Sequence, residues 1–180
     1  MKSLIFLFLV FPFGALATTT SYLQVSANQF RAEVDDATAA ANSSMARPEY
    51  HGEWIKMVPG TSPALPVSMK LDASVELPDT ALITGFVCYI QDNDAVVNID
   101  ATSQAVLRVR HPSTGVTSVI AQALIGRPGP GIVAVNANTI RTTVDVSTAI
   151  YDVELTWVQS VLPATLTDLQ FRGCRVQYDL

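Results

Sequence analysis

Along most of the chain apolar residues recur at every second position, the spacing of a strand whose side chains point alternately to two faces. Over 150–158, Tyr151, Val153, Leu155 and Trp157 share one parity and Asp152, Glu154 and Thr156 the other. This predicts a strand with one face in the core and the other in solvent. Ala105, Leu107 and Val109 alternate with Val106, Arg108 and Arg110 in the same way, and a second apolar run follows at 116–124. The turn formers His111, Pro112, Ser113, Thr114 and Gly115 lie between these two runs, so together they predict a hairpin. Positions 82–90 are apolar in both parities, with Leu82, Phe86, Cys88 and Ile90 against Ile83, Val87 and Tyr89. That is the pattern of a central strand covered on both sides.

The last run, 169–180, changes phase. Leu169 and Phe171 share one parity, Cys174, Val176, Tyr178 and Leu180 the other, and Gly173 sits at the slip. A bulge at this glycine would keep all of these apolar residues inward although the count shifts by one. Further strands are expected over 50–58 and 66–75. The stretch 30–41 has helix-favouring Ala, Glu and Arg without a sustained apolar stripe, so it reads as a short helix or an ordered loop. Gly126-Arg127-Pro128-Gly129-Pro130-Gly131 must be a loop, one that joins strands across the stack of sheets. Many short strands, frequent turn signals and no alternation with strong helices predict an all-β, antiparallel β-sandwich or jelly-roll-like single domain.

The amino terminus departs from this pattern. Lys2, an apolar run of about ten residues and the small-x-small ending Ala15-Leu16-Ala17 make positions 1–17 a secretory signal peptide. The run is too short for a bilayer, which needs about 20 residues. Removing 17 of the 180 residues leaves 163 as one domain, 18–180, in which 18–48 is an irregular or short-helical lead-in. Of the 49% hydrophobic content, part therefore belongs to the export signal. The chain carries 16 acidic and 11 basic side chains, a formal charge of -5 that becomes -6 when Lys2 is removed. This acidity argues against nucleic acid or anionic lipid as partner. No later stretch is long enough to be an integral membrane segment, so the expected location is periplasmic or extracellular.

Cys88 and Cys174 are the only cysteines, each inside a predicted strand of an exported chain, and are expected to form a disulfide. Closing so long a loop contributes roughly 4 to 5 kcal/mol in the chain-entropy picture. The alternative of reactive thiols lacks a placed base, because neither His51 nor His111 is positioned by the sequence. Asp92, Asp94 and Asp100, with Asn93 and Asn98, gather oxygen ligands and are calcium candidates. An EF-hand loop fails at its sixth and twelfth positions, which are Val97 and Ser103, and Asp and Asn are also the ordinary residues of turns. The histidines show no zinc spacing. There is no G-x-S-x-G elbow, and the glycine-rich loop lacks the G-K-[ST] ending of a phosphate loop. Five glutamates and eleven aspartates leave some carboxylate pair always available, so counting them decides nothing about glycoside hydrolysis. Glu53 beside Trp54, or Glu154 near Trp157, would suit a sugar site, since aromatic faces stack on pyranose rings. Trp157 has core parity, which leaves Trp54, with Tyr50 nearby, as the ligand-binding candidate.

Leu77-Pro78-Asp79-Thr80-Ala81-Leu82-Ile83-Thr84-Gly85-Phe86, followed by Tyr89, Asp92, Asn93 and Asp94, resembles a group of uncharacterised bacterial exported proteins that share L-P-[DH]-G-A-x-[IV]-T-G followed by D-N. The resemblance extends back to positions 25–31 and forward to 169–178. Thr80 stands where the pattern has glycine. The resemblance implies a single β-sandwich domain of bacterial origin and no established activity.

These observations lead to the expectation of a secreted, non-enzymatic domain without a cofactor. It would act through surface binding or self-association as an envelope, matrix or adhesion component, as a possible homo-oligomer. A carbohydrate-binding accessory module with a glycan partner is the second expectation. A hydrolase is the third and requires a cleft with converging carboxylates or a Ser-His pair.

Overall fold

The computed structural model describes residues 18–32, 47–58, 67–92, 102–125, 131–137, 140–159 and 169–180. Positions 1–17, Asp94, Asp100 and all but the first residues of the 30–41 stretch lie outside the described residues. The strands are β1 (Thr20–Ser26), β2 (Arg31–Ala32), β3 (Arg47–Tyr50), β4 (Ile55–Val58), β5 (Val67–Val75), β6 (Leu82–Asp92), β7 (Gln104–His111), β8 (Val116–Leu124), β9 (Gly131–Asn136), β10 (Thr142–Thr143), β11 (Ile150–Gln159) and β12 (Leu169–Asp179). A three-residue 3₁₀ turn, Ala27–Gln29, is the one helical element among the described residues.

All pairings are antiparallel and build two sheets. The seven-stranded sheet runs β10-β6-β12-β4-β3, with β1 also on β12 and β9 also on β6. The five-stranded sheet runs β2-β5-β11-β7-β8. The chain is thus an all-β sandwich-like domain, and its core is the apolar parity of each strand. Leu71, Leu107, Val153, Leu155 and Trp157 come from the smaller sheet and Val25, Ile55, Phe86, Ile90 and Val176 from the larger. Phe30 meets Phe171 edge to face with ring centroids 4.9 Å apart. β8 belongs to the smaller sheet and β9, the next strand along the chain, to the larger; the glycine-rich positions 126–130 between them lie outside the described residues.

The hairpin β7–β8 pairs from Gln104↔Leu124 to His111↔Val116, as the pattern predicts. The bulge at Gly173 also forms. The β12–β6 register shifts between Phe171 and Gly173, and Gly173 has φ of 105°. A Cβ there would lie 2.3 Å from the Val25 carbonyl oxygen, so only glycine fits.

Three expectations need correction. The strand expected over 50–58 is broken: β3 ends at Tyr50, the chain turns through His51 to Trp54, and β4 begins at Ile55. Gly52, with φ of 72°, provides the left-handed backbone of that turn. The polar face of β11 is not simply wet. Asp152 is 1% exposed, because β11 lies between β5 and β7 and long side chains from β7 cross over it. In β6 the inward residues are Ile83, Phe86, Cys88 and Ile90, so the parity changes between Ile83 and Phe86, opposite a register shift at Gln177 and Tyr178. Val87 and Tyr89 on the other face are half-buried rather than fully covered.

Thr80 is the one non-glycine residue with positive φ (63°) among the described residues. It is the third residue of a turn closed by Ala81 N–H donating to the Pro78 carbonyl at 3.3 Å. Such a turn puts its third residue in the left-handed region, where glycine is favoured and a β-branched residue is strained.

Candidate functional site

The two sheets present different outer faces. On the five-stranded sheet the register sets Asp152 opposite Arg108 and Glu154 opposite Asp72, so all four side chains share one face. Arg108 donates from Nε to Asp152 Oδ1 at 2.7 Å, from Nη2 to Asp72 Oδ1 at 2.7 Å, and from Nη1 to Glu154. Arg110 pairs with the second oxygen of Asp152. Burial pulls the Arg108 guanidinium down, but the hydrogen bond to Asp152 and the charges of Asp152, Glu154 and Asp72 prevail and raise it above its ordinary value. Its donors are committed to partners within the chain. The group ties β5, β11 and β7 together.

The seven-stranded sheet is tied from inside. Cys88 and Cys174 are direct cross-strand partners in β6 and β12, both fully buried, and are disulfide-bonded.

At the β3–β4 turn, Trp54 stacks on the His51 ring, with centroids 3.9 Å apart and planes 12° from parallel. His51 Nε2 is 2.8 Å and Lys56 Nζ 3.1 Å from Glu49 Oε1. The hydrogen bond from Lys56, helped by His51, holds the Glu49 carboxyl below its usual range. Tyr50 donates its hydroxyl to the Phe30 carbonyl at 3.0 Å. One face of Trp54 is therefore occupied by an imidazole, and its neighbours Gly52 and Glu53 are what reach the adjoining groove.

That groove, of about 470 Å³, lies over the outer face of the larger sheet and is lined by Gln24, Ser26, Asn28, Glu53, Tyr89 and Arg172 with the backbone of Gly52. The bulge explains its chemistry. In a regular strand Arg172 and Arg175, three apart, would face opposite sides. The extra residue puts both on the outer face, next to Tyr89. Gln91 and Gln170 hold the Arg172 guanidinium: Nε and Nη2 donate to Gln91 Oε1 at 2.9 and 2.5 Å, and Nη2 to Gln170 Oε1 at 3.0 Å. Arg175 lies 4.7 Å over the Tyr22 ring and 6.0 Å from that of Tyr89. Its Nε is buried without a hydrogen-bond partner.

The remaining candidates separate. Glu154 belongs to the Arg108 group, Trp157 is core, and Asp92 ends β6 with its side chain outside the described part. Among the described residues no group of three or more His, Cys, Asp and Glu is arranged to hold a metal ion, and no helix is long and apolar enough to cross a membrane. Sequence reasoning missed Arg172, Arg175 and Tyr22. The signal was present in the phase slip at Gly173, which shifts polar residues as well as apolar ones.

The fold and its groove thus define an antiparallel two-sheet domain with an internal disulfide and a polar outer cleft. No protein-family model matches the chain, and neither does any curated protein.

Proposed function

We propose that this is an exported, non-enzymatic domain that acts through its surface as an envelope, matrix or adhesion component. The groove on the outer face of the larger sheet carries this reading. Its lining can donate and accept hydrogen bonds through amides, two hydroxyls and a guanidinium, and holds one carboxylate, Glu53. Such a cleft suits binding better than a reaction that needs a pair of titratable groups. A buried disulfide suits an oxidising compartment. The carbohydrate-binding reading is favoured by the same lining, since planar amides, Arg and Tyr beside one another are partners for ring hydroxyls and sugar faces. Titration of the purified domain with a panel of oligosaccharides tests both, and loss of binding in Tyr89→Leu would place the ligand in the groove. Failure of every oligosaccharide to bind, with turnover of a glycoside or ester substrate, contradicts the reading. Amino-terminal sequencing of the exported protein should begin at Thr18.

Self-association has its own support in β8. This nine-residue edge strand carries no charge and no proline, and Val116, Val119 and Leu124 on it are 52%, 63% and 59% exposed. The edge strand β3 contains Pro48 and Glu49, and β2 at the far edge of the smaller sheet has two residues, both ordinary guards against edge pairing. Two copies pairing through β8 would give a dimer that Val119→Lys converts to a monomer in light scattering. A monomeric wild-type protein at high concentration contradicts it.

A further inference from the structure

We infer that the groove of the larger sheet takes a saccharide bearing carboxylates, a uronate-type oligomer, with the Arg172–Tyr89–Arg175 row as its recognition element. The inference rests on the surface-binding reading above and adds the class of ligand. It begins from an inequality between arginines. Arg108 and Arg110 are matched by Asp72, Asp152 and Glu154. Arg172 and Arg175 have no carboxylate partner among the described residues, although the chain has 16 acidic side chains and only 11 basic ones. In so acidic a protein, two uncompensated guanidiniums on one face form a local attraction for a carboxylate.

The geometry adds orientation. Gln91 and Gln170 accept from Nε and Nη2 of Arg172 and so hold the guanidinium in place. A guanidinium fixed by neutral acceptors keeps its full charge for a ligand, whereas one fixed by carboxylates does not. Tyr22 supports Arg175 in the same charge-preserving way, by its ring. Between the two cations, Tyr89 supplies an amphipathic ring for a pyranose to rest against, and Gln24, Ser26 and Asn28 offer donors and acceptors for its hydroxyls. Glu53 at the rim is the one lining group that opposes an anion. A neutral sugar would use the amides and leave the guanidiniums unmatched.

The test is calorimetric titration of the full mature chain with hexagalacturonate, maltohexaose, sodium acetate and inorganic phosphate. Hexagalacturonate should bind at least about tenfold more tightly than maltohexaose, and Arg172→Gln and Arg175→Gln should each weaken it by about tenfold, the scale of one hydrogen bond to a charged group. Glu53→Gln, at an exposed rim residue away from the strands, should tighten binding by about two- to threefold, and raising salt from about 0.05 to about 0.5 M should weaken it. Equal binding of maltohexaose overturns the acidic class while leaving the surface-binding reading in place. Acetate or phosphate matching hexagalacturonate overturns the saccharide. If no compound binds, both readings fail. Retained affinity in Arg172→Gln/Arg175→Gln places any binding elsewhere and overturns the assignment.

Discussion

The outer faces of the two sheets carry similar side chains to opposite ends. On the smaller sheet arginine is a fastener: Arg108 joins three strands through three carboxylates and buries Asp152 beneath itself. On the larger sheet the fastening is covalent and internal, through Cys88 and Cys174 between β6 and β12, and the arginines outside are held by glutamines and a tyrosine ring. A sheet secured from its core side can leave charge on its outer face without a partner. A sheet secured by ion pairs on its outer face cannot.

Removing each fastener tests this division. The double variant Cys88→Ala/Cys174→Ala releases a loop spanning a sequence separation of 86, and should cost about 4 kcal/mol in denaturant unfolding. Amide exchange should then rise first in β6 and β12. Arg108→Ala leaves Asp152 with Arg110 alone in a buried position and should cost about 3 kcal/mol, with exchange rising in β5, β7 and β11 instead. Arg172→Gln, by contrast, should change stability by no more than about 0.5 kcal/mol, because it holds no carboxylate. If Arg172→Gln destabilises as much as Arg108→Ala, the two faces are not different in kind. Gly173→Ala should cost about 2 kcal/mol, since its φ of 105° and the Val25 carbonyl both resist a Cβ, and it should also disturb the placement of Arg172. One expected effect is favourable. Thr80→Gly relieves a left-handed threonine at an exposed turn and should raise stability by about 1 kcal/mol or less, read as a higher melting temperature.

Much of this fold can be read from spacing. Period-two runs locate β7, β8, β11 and the central strand β6, and the phase slip in the last run locates the bulge at Gly173, because burial of alternate residues is a strictly local signal. The split of 50–58 into a hairpin is less legible, since its cue is a single glycine, Gly52, between two residues of ordinary strand propensity. The burial of Asp152 is not legible at all. It depends on which strand stands next to β11, and pairing is a non-local fact. The site follows the same rule. Glu53 is at the groove, but Trp54 turns one face to His51, and the Arg172, Arg175, Tyr22 and Tyr89 row exists only once β1, β12 and β6 are side by side.

The most direct test is a map of amide chemical-shift changes as hexagalacturonate is titrated into the labelled protein. The account predicts changes that follow β1, β6 and β12 around Gln24, Tyr89, Arg172 and Arg175, with the Arg108 face of β5, β7 and β11 unchanged. Changes centred on Arg108 and Asp152, or none at saturating oligosaccharide, would contradict it.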